Sequence, residues 1–183
     1  MRLLTFGEAV EEIPADETAE HRETRARKLG FGCEKWNLLD QSVGGFRLGQ
    51  KPTRERLAHQ QLVGVRPPDS ERFLIGQVSW LLYRDDGTME AGISLLDGLP
   101  EAIAVRPAQI GAAAALYEQG FFLPEVAALG KAASLVLPGG WFRPERIVEI
   151  REQGGVRSLR LKNLLLRGTN FDQISFEAVS GSV

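Results

Sequence analysis

The stretch FLIGQVSWLLYRDDGTMEAGISLL, residues 73–96, limits the possible folds more than any other part of the chain. Leu74, Val78, Trp80 and Leu82 fall on one face of an extended backbone, with Gly76 between them. After the Arg-Asp-Asp-Gly turn, Met89, Ala91, Ile93 and Leu95 alternate with Glu90, Gly92 and Ser94. Two alternating strands around Asp-Gly form the strongest short-range hairpin signal a sequence can carry. Trp36 and Trp80 could form a base-stacking platform, but their inward strand positions favour the core, where an indole contributes most of its apolar area.

The same period of two recurs on both sides. EKWNLLDQS and GGFRLGQ read as strands joined at Gly44 and Gly45, and QLVGVRPP as a strand stopped by its proline pair. EAIAVRP ends at Pro107, and SLVLPGG, RIVEIRE, VRSLRLKNLLLRG and FDQISFEAV follow. Their inward alternation is carried by Val148 and Ile150, Leu159 and Leu161, and Ile174 and Phe176. One segment breaks the pattern. AQIGAAAALYEQG is Ala-rich, with Ile110, Ala113, Ala114 and Tyr117 on one side and Gly120 as a stop, which predicts one short helix. Strands spaced by roughly 8–12 residues predict a barrel or sandwich. The expected architecture is mainly β: an N-terminal arm over 1–28, an antiparallel β-barrel over 29–107, and a helix plus a second strand-rich unit over 108–183.

Charge is uneven along the chain. Residues 1–20 carry six acids and one Arg, whereas residues 21–35, HRETRARKLGFGCEK, carry five Lys or Arg and two acids. A local cationic patch on a protein of net charge −2 suits a small anionic ligand better than DNA, which needs a broad basic face. It also suits a solvated charged arm. The single Cys33 rules out an internal disulfide framework, and His21 and His59 lack a second ligand at helical spacing, so no metal is expected. The run AQIGAAAALY is too short to span a bilayer, and the N-terminus turns acidic before an apolar signal region develops, so a cytoplasmic protein is expected. Gly130-Lys131 lacks the glycine of a phosphate-binding loop, no Gly-x-Ser-x-Gly elbow occurs, and Asp85 and Asp86 read as turn residues. No catalytic constellation can be assembled, and an enzyme is not expected.

DQSVGG, residues 40–45, admits two readings. Asp and Ser initiate turns by bonding nearby backbone N–H groups, and two glycines can supply positive φ. An acid and a hydroxyl beside a glycine turn can equally line a ligand site. Arg22, Arg25 and Arg27 precede it on the arm.

This combination, followed by GQVSW and AGISLL, resembles the PilZ domain, the bacterial receptor for cyclic di-GMP. That family joins an Arg motif on an N-terminal arm to Asp or Asn, any residue, Ser, two residues and Gly. Asp40-Gln41-Ser42-Val43-Gly44-Gly45 fits the second half of that signature, and the likeness covers roughly residues 20–106. In the arm the family's spacing falls on His21 and Arg25, because Arg22 is separated from Arg25 by two residues and from Arg27 by four. The resemblance implies a PilZ-like barrel that binds cyclic di-GMP through Arg22, Arg25, Arg27, Asp40, Ser42, Gly44 and Gly45, with no further cofactor. It also implies a signalling module that relays nucleotide level to a protein partner in motility, biofilm or exopolysaccharide control. The chemistry agrees. Arg contacts phosphate bidentately, donates to guanine O6 and N7 and stacks on purines; Asp accepts from the guanine N–H edge, and Ser donates.

The broken Arg spacing favours an alternative, a degenerate PilZ-like module that binds only a protein. An RNA-associated β-barrel is a third reading, disfavoured by the acidic balance.

Overall fold

The computed structural model describes residues 2–5, 33–51, 57–108, 116–152 and 155–179. Two units, Met1–Leu96 and Asp97–Val183, each enclose a core of their own.

The first unit consists of β1 (Arg2–Thr5), β2 (Cys33–Lys35), β3 (Asn37–Ser42), β4 (Gly45–Gln50), β5 (Leu62–Arg66), β6 (Leu74–Tyr83) and β7 (Met89–Leu95). They form one antiparallel sheet in the order β2-β1-β5-β6-β7-β4-β3. The outermost strands, β2 and β3, are separated in the chain only by Trp36. One extended run, 33–42, therefore pairs with β1 at its start and with β4 at its end. The sheet must curl until its two ends meet at Trp36, whose indole is buried in the core. Curling brings Phe46 and Leu48, Val63 and Val65, and Met89, Ala91 and Ile93 together inside, as their period-two spacing requires.

Two sequence expectations are corrected here. Arg2–Thr5 is a strand of this sheet rather than part of an arm, because it pairs on one side with β2 and on the other with β5. Trp80 and Leu82 do not share a face with Leu74 and Val78. Val78 pairs with Ile93 and Trp80 with Gly92, so Ser79 is an extra residue in β6. Such a bulge turns the following side chains to the other face. Val78 is fully buried, Trp80 is 40% exposed, and Leu81 takes the inward place expected of its neighbours.

Among the described residues the second unit consists of β8 (Glu101–Pro107), β9 (Glu118–Leu123), β10 (Ser134–Pro138), β11 (Ile147–Glu152), β12 (Gly155–Arg167) and β13 (Phe171–Ala178), with a 3-10 turn at Ala127–Leu129. The six strands close into a barrel in the order β10-β13-β12-β11-β8-β9. Val105, Leu135, Leu137, Val148, Ile150, Leu159, Leu161 and Ile174 fill it, each at most 1% exposed. Removing a side chain of this size from water contributes about 1.5–3 kcal/mol.

Glu101–Pro107 thus belongs to the second unit, and the division falls after Leu96 rather than at 107. The helix expected over 108–119 is corrected at its end. Glu118, Gln119 and Gly120 pair with Val105, Ala104 and Ile103, so closing the barrel outweighs a weak helical preference. Residues 109–115, the Ala-rich part of that expectation, lie outside the described residues.

Candidate functional site: a cleft on the first sheet

Two rows of side chains cross the outer face of the first sheet. In one, Asp40 of β3 pairs with Arg47 of β4, Arg47 with Gly92 of β7, and Gly92 with Trp80 of β6. In the other, Ser42 pairs with Gly45, Gly45 with Ser94, and Ser94 with Gln77. Residues paired directly across antiparallel strands share a face. The first row therefore sets an acid, a base and an indole side by side, and the second sets two hydroxyls around a glycine. The row between them contains Phe46, Ile93 and Val78, which point into the core.

These rows line an open cleft of about 270 Å³, to which Ser79 adds a third hydroxyl. Ser79 Oγ and Ser94 Oγ share a 2.6 Å hydrogen bond. Asp40 is exposed, and its Oδ1 accepts from the Gln41 N–H at 2.8 Å. Ser42 Oγ lies 3.4 Å from the Gly45 carbonyl oxygen, a weak bond that leaves the hydroxyl available.

The glycines make the hollow. A Cβ on Gly45 would overlap the Ile93 carbonyl oxygen, and one on Gly92 would fall inside the indole of Trp80. The five-membered ring of Trp80 occupies the space that a side chain at Gly92 would fill, so the glycine is the floor on which the indole lies. The expectation that Gly44 and Gly45 supply positive φ is corrected: neither residue is in the left-handed region. The turn is held instead by the Gly44 carbonyl, which accepts from the Leu95 N–H at 2.8 Å. Gly45 is needed for close approach between strands, not for the reversal.

Beside the cleft, Glu90 is 7% exposed and held by two guanidiniums. Arg47 donates Nε and Nη2 to Oε2 at 3.1 and 2.8 Å, and Arg84 donates Nε to Oε1 at 2.8 Å and Nη2 to Oε2 at 3.1 Å. Hydrogen bonding from Arg84 holds the Glu90 carboxyl below the ordinary carboxylate range; partial burial opposes this, and the bonds from Arg47 add to it. The same contact raises the Arg84 guanidinium.

Of the residues expected to form a site, the fold brings Asp40, Ser42, Gly44 and Gly45 together in one cleft. Arg22, Arg25 and Arg27 lie outside the described residues. The sequence reading missed Arg47, Ser79, Gly92 and Ser94, and it weighed Trp80 as a stacking residue but assigned it to the core, where the structure instead leaves it 40% exposed in the cleft. The one available signal was a large aromatic in a strand next to an alternating strand that carries a glycine. Among the described residues no group of three or more His, Cys, Asp or Glu side chains could hold a metal ion, and no helix is long and apolar enough to cross a membrane.

A family model described as the FimW C-terminal beta-barrel domain matches residues 103–179. In its second unit the chain is similar to that family. The matched residues begin in β8 and end just past β13, so they coincide with the closed barrel. The cleft belongs to the first unit, outside the match. No curated protein and no solved structure matches the chain.

Proposed function

We propose that the first unit is a PilZ-like receptor module whose cleft takes cyclic di-GMP and relays nucleotide level to a protein partner. The observation that carries this reading is the meeting of Asp40 and Ser42 with an exposed Trp80 on one glycine-floored surface. Each group has a matching function on a guanine nucleotide. The indole face stacks on the base, Asp40 accepts from the guanine N–H edge, and the hydroxyls of Ser42, Ser79 and Ser94 bond the remaining polar edge. A volume of about 270 Å³ falls just under the roughly 300–1,000 Å³ of sites that enclose a whole drug-sized ligand. It suits one guanosine half of the dinucleotide, with the other half over the surrounding surface.

Calorimetric titration of cyclic di-GMP into the full chain, with cyclic di-AMP as the control, tests the reading. A dissociation constant of about 10 µM or tighter is expected for the guanine ligand. Trp80→Ala should weaken it about 10-fold or more through lost stacking, and Asp40→Ala should erode the preference over cyclic di-AMP. Absence of heat at about 100 µM ligand would refute the reading.

A second reading, a protein-binding module without nucleotide, is favoured by a different observation. Leu38 and Leu39 on β3 and Leu82 and Tyr83 on β6 are all more than 40% exposed. These are strands that carry the cleft, and large apolar side chains left in water on them are available to a protein partner.

A further inference from the structure

We propose that Arg47 is the fixed cation of the cleft and contacts a phosphate of the bound dinucleotide, with Glu90 acting as the residue that positions it. This inference rests on the nucleotide-binding reading above and assigns its phosphate contact. Arg47 lies in the middle of the acid–base–indole row, between Asp40 and the Gly92 floor. Its side chain is 42% exposed and lines the cleft, whereas the Glu90 side chain beneath it is only 9% exposed.

The hydrogen-bond pattern leaves one edge of this guanidinium open. Nε and Nη2 both donate to Glu90 Oε2, and Nη1 has no partner among the described residues. Glu90 is not neutralised by Arg47 alone, because Arg84 also bonds both carboxylate oxygens. Within this clamp one negative charge faces two positive ones, while Asp40, paired with Arg47 across β3 and β4, and Asp85 and Asp86 near Arg84 supply further negative charge. A guanidinium oriented by a carboxylate on one edge loses little freedom when its other edge takes an oxyanion, which is the situation that makes Arg a good phosphate ligand.

The test titrates cyclic di-GMP into the wild-type chain, Arg47→Gln, and the double variant Arg47→Gln/Glu90→Gln. The single variant leaves Glu90 short of one partner and can lower stability, so melting temperatures are measured alongside. The double variant removes both members of the pair and keeps the buried carboxylate from being stranded. Loss of one charge-assisted contact should weaken binding about 10- to 100-fold in both variants. A folded double variant that binds within about twofold of wild type overturns the role of Arg47 while leaving the nucleotide-binding reading in place. A wild-type chain that gives no heat overturns both.

Discussion

Two guanidiniums share the Glu90 carboxylate, and its Oε2 alone accepts from Arg47 Nε, Arg47 Nη2 and Arg84 Nη2. This arrangement has a pH signature. The folded carboxyl titrates below its ordinary value, mainly because Arg84 bonds the ionised form. The unfolded value is about 4.3, so the stability the group contributes is fully present above that pH and lost as pH falls through the depressed folded value. Urea unfolding of wild type and Glu90→Gln should show a stability difference at about pH 7 that narrows below about pH 4. A difference that stayed constant to lower pH would contradict the ionised clamp. Nothing in the local pattern of GGFRL announced this role for Arg47, because its partner Glu90 is supplied by β7.

At the scale of elements, two of the hairpins in the first unit, β3–β4 and β6–β7, turn by different means. In Arg84–Thr88 the Gly87 φ is +78°, the Thr88 N–H donates to Asp86 Oδ1 at 2.9 Å, and the Gly87 N–H donates to the Arg84 carbonyl at 3.0 Å. In Ser42–Gly45, Gly44 lies outside the left-handed region, and a Cβ there would meet open space. Gly87→Ala should therefore cost about 1 kcal/mol from left-handed strain. Gly44→Ala should change stability by no more than about 0.5 kcal/mol. Denaturant midpoints with unchanged slopes would check both, and equal costs would contradict the assignment. The Asp-Gly hairpin was readable because its chemistry is local. The bulge at Ser79 was not, because the pairings on either side of it, Val78 with Ile93 and Trp80 with Gly92, are set by the partner strand. That single extra residue moves Trp80 from the expected core to the cleft.

For the whole molecule, each unit has a core that shares no residue with the other. The second also has a barrel closed by its own strands, β9 pairing with both β8 and β10. A unit with a core of its own can fold alone. Residues 97–183 expressed alone should therefore melt cooperatively with a β-rich circular dichroism spectrum, and a fragment without a thermal transition would contradict this. Alternation of apolar and polar residues is a property of the chain itself. It was enough to establish a mainly β protein, the Asp-Gly hairpin, the later strands and the DQSVGG turn, since each depends on neighbours in sequence. Tertiary structure decided the rest. Glu118–Gly120 became a strand because Ile103, Ala104 and Val105 offered pairing partners, and the two ends of the first sheet met at Trp36. Asp40, Arg47, Gly92 and Trp80 came into one row because four separate strands were laid in register. Pairing between distant strands fixes which face a residue occupies, and one extra residue in a strand reverses it.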